Sequence, residues 1–273
     1  MTDVGDDELY RKYETVNLYR RGAGAKVELN RPERMNAWSD QFATDLQAAI
    51  REVTDNPDIR AVAVTGAGRA FSSGFDLKEA AEQADGGPID VYRLLTERYH
   101  PLITGLRLMP KPVVAAVNGA AAGIGLSLAL ACDLVVAAES AFFQLAFVNI
   151  GLVPDGGSSL FVPARVGFTR AAELAMLGER LDARSALDWG LINRVWPDAE
   201  FAGQADALLD RLASGATRSY AGTKRELNRW LYAQMDDQLE FEAGIQRELA
   251  ASGDFAEGLE GFLAKRPPRF SGA

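Results

Sequence analysis

Pro112-Val-Val-Ala-Ala-Val-Asn-Gly-Ala-Ala-Ala-Gly-Ile-Gly-Leu-Ser-Leu-Ala-Leu-Ala-Cys-Asp133 is the stretch on which the fold turns. Val113 to Cys132 is long and apolar enough to be mistaken for a membrane span. Asn118-Gly119 is a turn signal, however, and Gly123, Gly125 and Ser127 interrupt the apolar run. A buried strand over 112–117, a turn, and a buried helix from about Ile124 account for it better. Asp133 then opens a further strand, 133–138.

The same alternation extends upstream. Residues 59–65 (IRAVAVT) form a β-branched apolar run, read as a buried strand. Residues 14–20 and 25–30 flank Arg21-Gly-Ala-Gly24 and read as a hairpin. Ser39 stands where it would cap a helix over 40–53, with Phe42, Leu46, Ala49 and Ile50 at helical spacing. Residues 89–107 are helical in pattern, with Pro101 expected to kink them. Alternating strands and helices imply an α/β fold with a parallel-rich sheet and right-handed crossovers. Downstream, helices are expected over 157–164, 169–177, 183–189, 200–213, 217–232, 235–250 and 254–265. A soft boundary falls at Trp196-Pro197-Asp198.

The 273 residues are 48% apolar and 25% charged, the balance of a globular protein. A net charge of −9 disfavours nucleic-acid binding, which needs a basic face. An anionic cofactor remains compatible, through local Arg and Lys and helix N-termini. Cys132 is the only cysteine and His100 the only histidine, so neither a disulfide nor a His-based metal site is expected. The acidic start, MTDVGDDELYRKY, lacks the apolar region of a signal peptide. No membrane association and a cytoplasmic location are the expectations.

Three segments carry candidate chemistry. Gly66 to Glu79 runs from a strand through tight glycines to an amphipathic run, but fits no phosphate-loop spacing. It reads as an ordinary connection or as a loop whose backbone N–H groups face a ligand. Ala120 to Gly125 lets the backbone approach a partner closely and opens a helix with unpaired N–H groups, or simply packs tightly. In Ile150-Gly-Leu-Val-Pro-Asp-Gly-Gly-Ser-Ser159, Asp155 precedes a helix, and its plain reading is an N-cap.

In this order the segments resemble the crotonase superfamily, the enoyl-CoA hydratase/isomerase group. The resemblance covers nearly the whole chain. It includes Leu29-Asn-Arg-Pro-Glu-Arg-Met-Asn-Ala37, Ser73-Gly-Phe-Asp76, Asn118 to Asp133, Gly151-Leu-Val-Pro-Asp155, Ala186 to Gly190 and Phe262-Leu-Ala-Lys-Arg266. It implies a crotonase (ClpP-like) spiral fold of ββα units with a C-terminal helical trimerisation region. Residues 1–198 would form the core with the acyl-CoA site. Residues 199–273 would serve oligomerisation and CoA contact, in a homotrimer or a dimer of trimers.

The resemblance also implies an acyl-CoA thioester substrate, with coenzyme A arriving as part of it and no permanently bound cofactor or metal. Backbone N–H groups of Phe75 and Ile124 would hold the thioester oxygen as it gains enolate charge. Substrate contacts would come from Asn36, Ala37, Ser73, Gly74, Phe75, Asp76, Leu77, Phe147 and Lys265, the last often reaching a neighbouring subunit or else a solvated tail charge. Hydratases carry two glutamates at the positions of Ser127 and Phe147, and neither is acidic here. Asp155 stands where isomerases, including the 1,2-epoxyphenylacetyl-CoA isomerases, use an acid. Apolar neighbours should raise its pKa and basicity. Isomerase chemistry with Asp155 as catalyst is therefore expected. The alternatives are a hydratase, a 4-chlorobenzoyl-CoA dehalogenase-like hydrolysis with nucleophilic Asp155 and His100, and a non-catalytic binder. The segment 80–100 is expected to border the acyl pocket.

Overall fold

Two sheets wind together as successive strand–strand–helix passes in the computed structural model, which describes residues 7–83 and 89–273. Among those residues the larger sheet holds β1 (Glu8–Lys12), β2 (Val16–Arg21), β3 (Gly24–Leu29), β4 (Ala61–Gly66), β6 (Val113–Val117), β8 (Leu134–Ala138) and β11 (Arg194–Trp196), in the order β1-β2-β3-β4-β6-β8-β11. The smaller sheet has the order β10-β9-β7-β5, built from β5 (Ala70–Ser72), β7 (Ala120–Ala122), β9 (Phe142–Gln144) and β10 (Leu181–Asp182). β2 and β3 form the expected antiparallel hairpin, with Arg21 opposite Gly24. From β3 to β11 the large sheet is parallel.

The chain gives a strand to each sheet and then a helix, repeatedly. β4 and β5 precede α2 (Leu77–Gln83), α3 (Val91–Leu94) and α4 (His100–Leu108); β6 and β7 precede α5 (Ile124–Ala131); β8 and β9 precede α6 (Ser158–Leu177). This is the ββα spiral expected above. Every residue of α5 is buried, which explains its uniformly apolar sequence. No described helix is long and apolar enough to cross a membrane. Before β4, α1 (Asp40–Asp55) starts as expected at Ser39, whose side chain accepts the Phe42 N–H at 3.2 Å. Such a cap contributes about 1 kcal/mol.

Local deviations have physical causes. The expected kink at Pro101 is a widened π turn over Leu95–Tyr99, between α3 and α4. Proline has no N–H to give, and the His100 N–H reaches back to the Leu95 carbonyl. The two helices expected over 157–164 and 169–177 run together as α6, broken at Gly167 with φ 74° and ψ 170°. The segment 66–74, read as a loop, contains β5. Residues 84–88 of the segment expected to border the acyl pocket, and the first six residues of the acidic start, lie outside the described residues.

After α7 (Ala183–Asp188) and β11, the chain is helical. α8 (Asp198–Ser214) packs on β3, β4, β8 and β11. α9 (Thr217–Leu231) is tied to the core by Lys224, whose Nζ donates to Asp133 Oδ2 (2.9 Å) and the Leu106 carbonyl (2.8 Å). Arg107 pairs with the other Asp133 oxygen and donates to the Ala131 carbonyl at 2.9 Å. α10 (Met235–Ala250) packs on α3 and α6, and α11 (Gly253–Leu263) packs on α10.

Candidate active site

The loop after β5 is pinned on both sides of Phe75. The Trp38 N–H donates to the Gly74 carbonyl (2.8 Å), and the Asp76 N–H donates to the Trp38 carbonyl (3.0 Å). In extended chain, alternate residues face opposite ways, so the Phe75 N–H turns from Trp38. Gly74 has φ 90°, and a Cβ there would come within 2.8 Å of the Ala122 carbonyl oxygen. Glycine thus lets the loop and the start of α5 approach closely. Ile124 opens α5 behind Gly123, which supplies no side-chain cap, so its N–H is one of the orphan donors of a helix start. No backbone carbonyl among the described residues accepts from Phe75 or Ile124.

Both residues line one cavity of about 630 Å³, together with Phe147, Tyr99, Leu95 and Asp155. Ala37, Ser73, Asp76 and Leu77 line it too. Asp155 is 6% exposed. Its Oδ2 accepts the Gln246 amide at 2.7 Å, and its Oδ1 is buried without a partner. Burial pushes this carboxyl up to about 8; the Gln246 donor opposes the rise and the Glu242 charge adds to it.

The expected capping role of Asp155 is corrected. Its side chain caps nothing; Glu242 of α10 does that work. Glu242 Oε2 accepts the Gly157 N–H at 2.8 Å, and Oε1 accepts the Ser159 N–H at 3.2 Å and the Ser159 hydroxyl. Burial pushes Glu242 up to about 7, against those three donors. Gly156 has φ 60°, and a Cβ there would lie 2.2 Å from Ile124 Cδ1. This tight turn leaves the Asp155 side chain free of the helix end.

Other expected residues stand at the margins. Asn36 is fully buried and organises its loop, accepting the Arg31 N–H (2.8 Å) and donating to the Ala67 (3.0 Å) and Ala70 (2.8 Å) carbonyls. Asp76 caps the start of α2 through the Glu79 N–H (3.1 Å) and pairs with Arg31 at 3.2 Å. Ser127 is fully buried, and its hydroxyl donates to the Asp155 carbonyl at 2.7 Å. Asn36, Gly74, Ser127, His100 and Lys265 are not among the described lining residues. His100 is buried with Nε2 partnerless, and burial pushes it down to about 4. Lys265 is exposed on the turn after α11, while Phe262 of α11 does reach the cavity.

Sequence reading missed Gln246, Glu242 and the exposed cations Arg34, Arg69, Lys78 and Arg180 on the cavity wall, whereas Val91, Leu94, Leu95 and Tyr99, from the segment 80–100, do line it. A signal for two of them existed. Leu239, Glu242, Ala243 and Gln246 follow helical spacing, so two polar residues share the buried face of α10.

The sequence pattern of the enoyl-CoA hydratase/isomerase family matches residues 20–273. A probable enoyl-CoA hydratase of Rhodobacter capsulatus is 41% identical over 95% of this chain and 99% of its own. The 1,2-epoxyphenylacetyl-CoA isomerase of Escherichia coli is 40% identical over 90% of this chain and 94% of its own. A solved enoyl-CoA hydratase structure from Mycobacterium avium subsp. paratuberculosis superposes with a TM-score of 0.86 at 38% identity, covering 95% of this chain and all of that one.

Proposed function

The chain belongs to the enoyl-CoA hydratase/isomerase family of the crotonase superfamily, and we propose that it is an isomerase within it, with Asp155 shuttling the proton. The family acts on CoA thioesters without a resident cofactor. The Phe75 and Ile124 N–H groups receive the thioester oxygen. Asp155, as carboxylate, takes a proton from carbon. The C–H electron pair enters a dienolate whose charge rests on that oxygen. Asp155, now a carboxylic acid, returns the proton at another carbon, and the double bond shifts. Each preorganised donor contributes about 3 kcal/mol to the transition state.

One observation carries this reading: Asp155 is a buried carboxyl with no cation beside it and one oxygen unpartnered, on the same cavity as two free N–H groups. A group titrating at about 8 serves both directions of transfer near neutral pH. The other acids on that wall are otherwise placed. Asp76 is paired to Arg31, and Glu33 is exposed on the turn before Met35. Water addition by a glutamate pair finds Ser127 spent on the Asp155 carbonyl and Phe147 apolar. His100, needed for a dehalogenase-like hydrolysis, is absent from the described lining. Arg34, Arg69, Lys78 and Arg180 suit the phosphates of CoA on a chain otherwise acidic.

Residues 199–273 serve the site as well as assembly, through Gln246 and Phe262. Exposed Phe168, Met176, Leu227 and Trp230 support a trimer-based homo-oligomer.

The test is isomerisation of a 3-enoyl-CoA thioester to its conjugated 2-enoyl form, with α-proton exchange in D₂O followed alongside. Asp155→Asn lowers the rate roughly 10²–10⁴-fold with the fold intact, because Glu242 caps α6. In wild type, the base-first step makes kcat/KM rise with pH to a plateau above about 8. A folded Asp155→Asn variant at wild-type rate removes the catalyst from this reading. CoA-thioester binding with neither isomerisation nor exchange makes the protein a binder.

A further inference from the structure

Two arginines hold the carbonyls at the C-terminal end of α5. Arg107 Nη1 donates to the Ala131 carbonyl at 2.9 Å and to the Cys132 carbonyl at 3.2 Å. Arg165, from α6 just before its break at Gly167, gives Nη2 to the Leu130 carbonyl at 2.7 Å and to the Cys132 carbonyl at 3.3 Å. The other end of this helix is Ile124, on the cavity. Every residue between is buried, so packed side chains and not water surround the helix axis.

The cations there are not balanced alike. Arg107 and Lys224 share the Asp133 carboxylate. Arg165 forms no ion pair among the described residues, and Asp133 is the one carboxylate that acts on it. Three cations therefore meet one carboxylate behind α5. Burial pushes the Arg165 guanidinium down and Arg107 adds to the fall, but an arginine keeps its proton. A neutral donor would satisfy the same carbonyls without the cost of a half-buried charge. What the charge adds is field. A helix carries about half a positive charge at its N-terminus and about half a negative charge at its C-terminus. Seen from the cavity, the negative end opposes the positive one. A cation seated on the negative end removes that opposition and adds its own pull. The eight residues of α5 set the two ends ~12 Å apart. At an effective dielectric of about 20, a unit charge at that range alters the rate of forming an oxyanion about fivefold.

We propose that Arg165 is a positioning residue for the reaction: its unpaired charge on the C-terminal carbonyls of α5 strengthens the hold of the Ile124 N–H on the thioester oxygen at the opposite end. Arg107 fastens the same carbonyls, but its charge is spent on Asp133. Arg165 touches neither the cavity wall described above nor any residue on it except through α5 and α6. This rests on the acyl-CoA reading above and adds to it a residue that sets the strength of the oxygen site from behind.

The test reads the carbonyl itself. Butyryl-CoA carrying ¹³C at carbon 1 is bound to wild type, Arg165→Met and Arg165→Lys, and the labelled carbonyl band is followed by infrared difference spectroscopy. Exchange of its α-protons in D₂O gives the rate, and calorimetry gives Kd. In wild type the bound band lies below that of the free thioester. Arg165→Met shows a smaller downward shift and exchanges about fivefold more slowly, with Kd within about threefold of wild type. Arg165→Lys, which keeps the charge and loses the fork, restores most of the shift and the rate. An unchanged band in Arg165→Met overturns the proposal. So does an equal loss in Arg165→Met and Arg165→Lys, which would make the fork's geometry and not its charge the cause. Should Arg165→Met not fold, Arg165→Gln, which leaves a neutral donor for the carbonyls, carries the comparison. If neither folds, Arg165 is scaffold and the proposal falls. Failure of wild type to bind the thioester overturns the proposal and the acyl-CoA reading together. The band shift needs no turnover, so it stands even if Asp155→Asn proves fully active.

Discussion

Asp133, partly buried beneath α9, and Asp155, buried at the cavity, meet opposite company. Asp133 has Arg107 on one oxygen, and Lys224 at 2.9 Å and the Val113 N–H at 2.8 Å on the other. Asp155 has one neutral amide, from Gln246, on one oxygen and nothing on the other. The first carboxylate is fully used in joining α4, α9 and the start of β8. The second keeps its proton to about pH 8, and so keeps the capacity to exchange it. Burial alone therefore does not mark the chemistry; burial without a counter-charge does.

The comparison breaks most visibly at the paired site. Asp133→Ala strands two buried cations and is expected to cost about 3–5 kcal/mol of stability, measured by urea unfolding. A cost below about 1 kcal/mol, the scale of a surface pair, would make the cluster incidental.

A smaller effect is expected at Gln246. Its amide donates to the carboxylate and so favours ionisation. Gln246→Leu removes that donor, and the midpoint of the pH–rate profile moves up from about 8. Each step of about one in pH by which the midpoint rises lowers the base fraction near neutrality roughly tenfold. A slower enzyme with an unmoved midpoint would assign Gln246 to scaffolding through its bonds with Val153.

A further effect is on the pH dependence of stability. The Asp155 carboxyl is raised in the folded state from 3.8 to about 8, so the folded chain holds a proton that the unfolded chain has released. Its stabilising share is full below the ordinary value and is lost as pH rises through about 8. Glu242, raised to about 7, acts with the same sign. Asp155→Asn therefore gains melting temperature relative to wild type as pH is raised from about 5 to about 8. A constant difference across that window would mean the aspartate is ionised throughout.

Reading the sequence succeeded where long patterns carry the signal. The strand, turn and helix of 112–133, the hairpin, Ser39 as a cap and the paired helices broken near Gly167 were all legible. Strands β5, β7, β9 and β10 were not, because two or three residues hold no periodicity. β1 was missed because all five of its residues are exposed. At the site, the family resemblance named residues that the cavity does unite, Phe75, Ile124, Phe147 and Asp155. Local reading made Asp155 a cap because acids before helices commonly are. The true cap, Glu242, lies 85 residues away from Gly157, and no local rule reaches it. Gln246 was hidden in the same way, 91 residues from Asp155.

Everything proposed for the site turns on the ionisation of Asp155, which infrared difference spectroscopy between wild type and Asp155→Asn reads directly. The subtraction isolates the protonated carboxyl band of this residue from that of Glu242. A carboxylic acid band that persists through neutral pH and disappears with a midpoint of about 8 is the predicted result. A difference spectrum with no such band above about pH 6, beyond the ordinary carboxylate range, would contradict it, since Asp155 would then be an ordinary carboxylate.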